Sequence, residues 1–320
     1  MKHESKNANQ LHEKRKKSYQ LVDDYHKKFI DVNTGRLYAN LKVDRSCPVC
    51  NSNSATFFLN KSASSYFKCN DCSMVYLNPI MSPDATVDYY TNLNTGQGEI
   101  VSSDSKFYRE IYSMGLESIE KLKKHGELLD IGCSTGFFLD IAKERGWNTS
   151  GLELGIEEAS VAENKGHTIH KHSIDNLDSG KLFDAITMWD VLEHIPDGID
   201  QLIKIKDHLN HKGILFFQIP NSDSLAAKVL RKECRMFDGL EHTNLYNPST
   251  VRQIAATCGF IVKDMRSVIS EIAVLNNYLD YSDPYFGNSK YDDKVLGLLD
   301  DNFIHSNLIG YKLQVTLEKV

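Results

Sequence analysis

The sequence predicts an α/β fold, a parallel sheet wrapped by helices on both faces, preceded by a small cysteine module and a helical lead-in. Three observations carry this. From residue 126 onward, apolar strand-like runs alternate with helical runs. One of those strands ends in a turn of small residues, GCSTG at 132–136, that opens an amphipathic helix. Ahead of the alternation stand four cysteines in two C-x2-C pairs between positions 47 and 72.

Taken in order, residues 1–45 form a basic N-terminal extension, expected to be a mobile tail followed by a short helix and an extended stretch. Residues 1–30 hold eight Lys/Arg against four Asp/Glu, within a chain whose net charge is −6. Residues 46–80 alternate cysteines with β-prone runs (ATFFL, SYFKC, MVYL) and read as a ribbon. Residues 81–125 read as helices interrupted by the polar NLNTGQGE turn, with apolar residues at helical spacing at Phe107, Ile111, Met114, Leu116, Ile119 and Leu122. Residues 126–320 then hold the strand–helix series. Its strands are ELLDIG, NTSGLEL, HTIHKHS, LFDAITMWD, GILFFQIP, FIVKDMRSV and YKLQVTLEKV. The helix FFLDIAKERG closes on Gly146, and PSTVRQIAATCG has proline near its start and glycine at its end. Residues 266–310 are an insertion before the last strand.

Composition narrows the function classes. With 320 residues, 41% of them hydrophobic and 25% charged, the chain is long enough for a catalytic domain plus a module, and it excludes wholesale disorder. No apolar run approaches ~18 residues, which excludes a membrane-spanning helix. The N-terminus MKHESKNANQLHEKRKK lacks the apolar stretch of a signal peptide. A cytoplasmic chain with reduced thiols is therefore expected. Outside its first 30 residues the chain is acidic, which speaks against a large nucleic-acid footprint.

The turn carries the most chemistry. Gly132 permits a sharp turn and close backbone approach to a ligand, and Gly136 permits tight packing where the helix begins. The helix start presents free N–H groups. Glu153, about 20 residues on at the end of the next strand, is placed to accept the two hydroxyls of a ribose. The segment LLDIGCSTGFFL resembles the first motif of class I S-adenosylmethionine (SAM)-dependent methyltransferases. The resemblance continues through GLELG (151–155), FDAITMWDVLEHIPD (183–197), GILFFQIPN (213–221) and EHTNLYNPSTVRQIAATCGF (241–260). It implies a Rossmann-like sheet of seven strands and SAM as cofactor. It implies that Asp130, Gly132, Cys133, Ser134 and Gly136 line the methionine end and that Glu153 binds the ribose. It further implies that Ser173, Ile174 and Asp175 flank the adenine, and that Trp189 and Asp190 border the methyl-transfer chamber. His194 and His242, in loops after the fourth and fifth strands, are the candidate general bases. Tyr89, Tyr90 and Tyr108 could shape a lid, but core packing is the expected role.

Cys47, Cys50, Cys69 and Cys72 form C-x2-C-x18-C-x2-C, the spacing of a four-thiolate zinc site. A closed four-thiolate set leaves no open coordination position, so the zinc is expected to be structural. The module also resembles the zinc-binding lead of bacterial methyltransferases of surface-polysaccharide and natural-product pathways. The expected function is methyl transfer, to oxygen, of a small or glycosylated acceptor, with no nucleic-acid partner and a homodimer compatible with the sequence. Two alternatives stay open: an RNA methyltransferase that grips RNA with the ribbon, and a non-catalytic SAM-binding scaffold. Only Lys61 and Lys68 are basic within 46–80, which weakens the RNA alternative.

Overall fold

The computed structural model describes residues 8–92, 105–269, 275 and 300–320. The expected turn after Asn92 and most of the 266–310 insertion lie outside the described residues. The described chain forms two compact units. One gathers the described residues within Met1–Met81, Ile219–Val251 and Met265–Gln314, and the other those within Ser82–Gln218, Arg252–Asp264 and Val315–Val320.

The first unit opens with helix α1 (Ala8–His26), where a tail and short helix were expected. Its end is anchored: Tyr25 and Phe29 rings lie 5.7 Å apart, and buried His26 bonds Glu241 at 3.0 Å. The Tyr25–Phe29 pair follows the weak helical spacing of the segment, whereas the Glu241 partner lies 215 residues away and gives no local signal. Short strands β1 (Ile30–Asp31) and β2 (Arg36–Leu37) pair as a hairpin, and β3 (Lys42–Val43) follows. The ribbon comprises β4 (Ala55–Lys61), β5 (Ser64–Cys69) and β6 (Val75–Asn78), paired antiparallel, and β7 (Ile80–Met81) pairs with β3.

The second unit begins with α2 (Pro83–Asn92) and α3 (Ser105–Glu120). Phe107, Ile111, Leu116 and Ile119 of α3 are buried as their spacing predicts. Leu122 lies past the helix end and is exposed. Then come β8 (Gly126–Ile131), α4 (Phe137–Glu144), β9 (Trp147–Leu152), α5 (Ile156–Asn164), β10 (Thr168–His170), β11 (Phe183–Trp189), α6 (Gly198–Asp207) and β12 (Leu209–Pro220). The remaining elements, α7 (Leu225–Leu230), β13 (Asn244–Leu245) and α9 (Asp301–Ser306) in the first unit and α8 (Pro248–Thr257), β14 (Phe260–Val268) and β15 (Lys312–Lys319) divided between the two, complete the described chain. All seven strands predicted in 126–320 form one sheet, ordered β10-β9-β8-β11-β12-β15-β14. The pairs from β10 through β12 are parallel. Residues Ile214, Leu215, Phe216 and Phe217 are all fully buried, the mark of a strand covered on both faces.

The chain order reverses at β8, whose neighbours are β9 on one side and β11 on the other. Such a switch point opens a crevice beyond the carboxyl ends of the strands, the usual ligand position in this architecture. The turn at 132–136, Glu153 and Asp190 all follow those three carboxyl ends.

The ribbon is not a free-standing three-stranded piece. Strand β13 pairs antiparallel with β6, Asn244 opposite Tyr76 and Leu245 opposite Val75. Its core, expected to be minimal, is built jointly: Leu59, Tyr66, Val75 and Leu77 cluster with Ala226, Ala227, Cys234, Met236, Phe237 and Leu245. Among the described residues no helix is long and apolar enough to cross a membrane.

Candidate functional site

The turn after β8 is held by backbone and by one carboxylate. Gly132 and Cys133 donate their N–H groups to the Leu152 carbonyl at 2.8 and 3.1 Å, which ties the turn to the end of β9. Gly132 has φ +72, and a Cβ there would lie 2.6 Å from the Val191 side chain. Both the left-handed backbone and the close approach demand glycine. Ser134 is also left-handed, at φ +49, and Gly136 (φ +76) stands at the start of α4 against His167 and Ala162.

Glu153 sits at the mouth of this turn. Its Oε2 accepts the Ser134 N–H at 2.8 Å and its Oε1 accepts the Gly155 N–H at 2.7 Å. Each oxygen thus has one fixed backbone partner, and a carboxylate oxygen can accept more than one hydrogen bond. Burial raises its pKa, and these two N–H groups oppose the rise.

Asp130 is 2% exposed, and Thr187 Oγ1 donates to its Oδ1 at 2.7 Å. The two residues are in register on neighbouring strands. Burial pushes the Asp130 carboxyl up to about 8, the Thr187 hydroxyl opposes this, and Glu153 adds to the rise. A carboxyl raised in the folded chain binds a proton that the unfolded chain loses near pH 4. Its contribution to stability is therefore fully present below about pH 4 and is lost as pH rises through about 8. Asp130→Asn keeps the acceptor for Thr187 and removes this titration. Urea unfolding at pH 5, 6.5 and 8 should show the wild type losing stability relative to the variant at each step. A difference independent of pH would mean that Asp130 is ionised throughout.

Trp189 ends β11, 8% exposed, with Tyr112, Phe216 and Phe138 ring centroids at 4.6, 4.8 and 5.1 Å. Among the described residues its buried Nε1 has no hydrogen-bond partner. Asp190 is left-handed (φ +55), and its Oδ2 accepts from Gln218 Nε2 at 3.2 Å. Ser173 Oγ donates to Asp175 Oδ2 at 2.9 Å, Ile174 is buried, and Asp175 is exposed. Lys204 and Ser173 together hold the Asp175 pKa down.

The two candidate bases belong to different units. His194 lies in the second, and its Nδ1 is 2.9 Å from the Tyr90 hydroxyl. Tyr90 is therefore a histidine partner, whereas Tyr89 is fully buried in the core as expected. His242 lies in the first unit. Its Nδ1 is 2.8 Å from the Met236 carbonyl and 3.1 Å from Asp238 Oδ2. Two acceptors on Nδ1 place the ring proton there, so in the neutral imidazole the basic lone pair is on Nε2.

The four cysteines converge. Their sulfurs all lie within 4.8 Å of one another, with Cys47–Cys72 and Cys50–Cys69 each at 3.5 Å. These separations are far beyond a disulfide bond of ~2.05 Å. They are near the ~3.8 Å edge of a tetrahedron of Zn–S bonds of ~2.3 Å. Both C-x2-C turns have one design. The residue after the second cysteine, Asn51 or Ser73, is left-handed and donates its N–H to the carbonyl of the first cysteine, Cys47 or Cys69. Burial pushes the Cys47 thiol up to about 11. At Cys69 burial acts the same way but is outweighed by the N–H groups of Cys72 and Asp71, which lower it. A buried, mutually crowded thiol set of this shape fits a dication bound as thiolates.

The methyltransferase-domain family model matches residues 106–263. That span contains the turn, Glu153, Trp189, Asp190, His194 and His242. A curated relative, the ubiquinone biosynthesis O-methyltransferase of Rickettsia canadensis (strain McKiel), is 24% identical over 173 residues, covering 48% of this chain and 73% of the relative. The protein of the same name from Actinobacillus pleuropneumoniae serotype 7 is 30% identical over 107 residues, 30% of this chain and 46% of the relative. The family match marks residues 106–263 as a methyltransferase domain. Among solved structures, a SAM-dependent methyltransferase from Clostridium acetobutylicum covers 71% of this chain and 99% of its own, at 15% identity and a TM-score of 0.47.

Gly132 and Cys133 are tied to Leu152, Gly136 to Cys133 and Ser134 to Glu153, while Asp130 bonds Thr187, and Ser173, Ile174 and Asp175 form a separate short turn. Several positioning residues carry no local signal: Thr187 beside Asp130, and Asp238, Arg45 and Tyr66 around the His242 loop. For Thr187 the clue was the strand register, which puts it level with Asp130. For the other three the partners are distant in sequence or lie in an irregular loop.

Proposed function

We propose that the enzyme transfers the SAM methyl group to a hydroxyl oxygen of a small or glycosylated acceptor, such as a sugar, glycan or natural-product intermediate. The observation that carries the SAM-site assignment is the Glu153 carboxylate, with one backbone N–H on each oxygen at the mouth of the 132–136 turn. That orientation supports two ribose hydroxyls as the ligand. SAM supplies a methyl group made electrophilic by its sulfonium. The chain's task is then to align the acceptor, exclude water and take up one proton. His242, with its lone pair on Nε2, suits the last task for a hydroxyl nucleophile, and His194 is the second candidate. The aromatic wall of Trp189, Tyr112, Phe138 and Phe216 keeps the end of β11 dry. The names of the curated relatives support oxygen as the acceptor atom. Zinc on Cys47, Cys50, Cys69 and Cys72 is assigned a structural role.

The test is transfer of labelled methyl from SAM into fractionated lysate of the source organism, with and without ribonuclease. Label in small-molecule or glycan fractions, insensitive to ribonuclease, is expected. Label lost on ribonuclease treatment would overturn the reading in favour of RNA.

A further inference from the structure

We propose that the cysteine ribbon is the scaffold that sets the His242 imidazole in place, with Tyr66 and Arg45 as its positioning residues. This rests on the reading of His242 as the base. The loop 236–247 makes few bonds to itself outside the Asp238 carboxylate, which accepts the N–H groups of Leu240 and Glu241 at 2.7 Å and of His242 at 3.0 Å. The backbone at His242 and Thr243 is held by the ribbon and the residues just before it, whereas the Tyr246 carbonyl is held by Ser222. Tyr66, fully buried in β5, donates its hydroxyl to the His242 carbonyl at 3.0 Å, and the same oxygen receives the Gly239 N–H at 3.4 Å. Arg45, two residues before the first cysteine, donates to the Thr243 carbonyl at 2.7 Å and to Asn244 Oδ1 at 2.6 Å. Its Nε donates to the Leu77 carbonyl of β6 at 3.1 Å. Leu77 N–H also donates to the Thr243 carbonyl at 2.9 Å. Further along, Asn247 Nδ2 reaches the carbonyl and hydroxyl oxygens of Ser73, the residue that follows Cys72, both at 3.3 Å. Phe237 is clamped between Phe58 and Tyr66, with centroids at 5.7 and 5.3 Å.

The histidine is thus fixed at its own carbonyl by one ribbon residue and at the next residue by another. A general base must hold its lone pair within hydrogen-bond reach of the acceptor, and small misplacements cost large factors in rate. A loop held this way keeps the proton on Nδ1, donated to the Met236 carbonyl and Asp238, so that the neutral ring carries its lone pair on Nε2. The ribbon's contribution to methyl transfer is then geometric, and no ribbon residue needs to touch either substrate.

The test uses the full chain with zinc bound, labelled with 15N-histidine and studied at pH 8, with His242 assigned by His242→Asn. The wild type should show a single Nδ1–H tautomer at His242. Tyr66→Phe keeps the ring and removes the hydroxyl, and should show a mixed tautomer with unchanged zinc content. The transfer rate into the labelled small-molecule fraction should fall about tenfold at saturating SAM, with the KM for SAM unchanged. The double variant with His242→Asn should be no slower than His242→Asn alone. An unchanged tautomer, or rate losses that multiply in the double variant, would overturn the proposal. If Tyr66→Phe loses its zinc, Arg45→Lys carries the same measurements and the same two outcomes. A His242→Asn variant with full rate would instead overturn the base reading, while the tautomer still decides the positioning.

Discussion

Replacing Glu153 with Ala should weaken SAM binding by roughly 10²- to 10⁴-fold. Each hydrogen bond from a ribose hydroxyl to a carboxylate contributes about 1.5–3 kcal/mol, and the substitution removes two of them. It also removes the acceptors of the Ser134 and Gly155 N–H groups, so the left-handed Ser134 loses its restraint. Glu153→Gln retains one good acceptor and should lose about tenfold. Both effects are read by calorimetric titration with S-adenosylhomocysteine, with unfolding curves to confirm an intact fold. An alanine variant binding within threefold of wild type would remove Glu153 from the site.

The second large effect is expected from Cys69→Ser. Cys69 is 2% exposed and provides one of four converging sulfurs. Losing a thiolate from a closed structural site should reduce bound zinc from about one per chain to a small fraction, because such sites rarely hold metal with three ligands and a hydroxyl. The damage should spread along the joint core. Tyr66, Val75 and Leu77 share their packing with Met236, Phe237 and Leu245, so amides of 236–245 should lose hydrogen-exchange protection with those of 64–78. Unchanged metal content would refute the four-cysteine assignment. Metal loss with 236–245 still protected would separate the ribbon from the histidine loop.

What was legible in the sequence was local. Most of the seven strands are apolar runs, and each lies where its run predicts. The two C-x2-C turns need only five residues each to specify a left-handed position and its bond, so their convergence could be anticipated from spacing. The left-handed backbone of the GCSTG turn is likewise local, although the Val191 side chain that a Cβ at Gly132 would meet is remote in sequence. What the sequence concealed depends on remote contacts. Thr187 is an ordinary strand residue until the β8–β11 register sets it beside Asp130. Strand β13 is two residues long and exists only because β6 offers an edge. Helix α1 has polar residues on most of its surface, and its end is fixed by His26 on Glu241, 215 residues away. Tyr66 reads as one more aromatic of a β-run, yet its hydroxyl reaches the loop of His242. The 46–80 ribbon therefore looks self-contained in sequence but builds its core with 226–245.

The measurement that bears most directly on the account is a crystal structure of the enzyme with S-adenosylhomocysteine, examined at the ribose. Both ribose hydroxyls are expected on the Glu153 carboxylate at about 2.7 Å each, with the Ser134 and Gly155 N–H bonds still in place. A ribose bound away from Glu153, with that carboxylate engaged only by the two backbone N–H groups, would contradict the account.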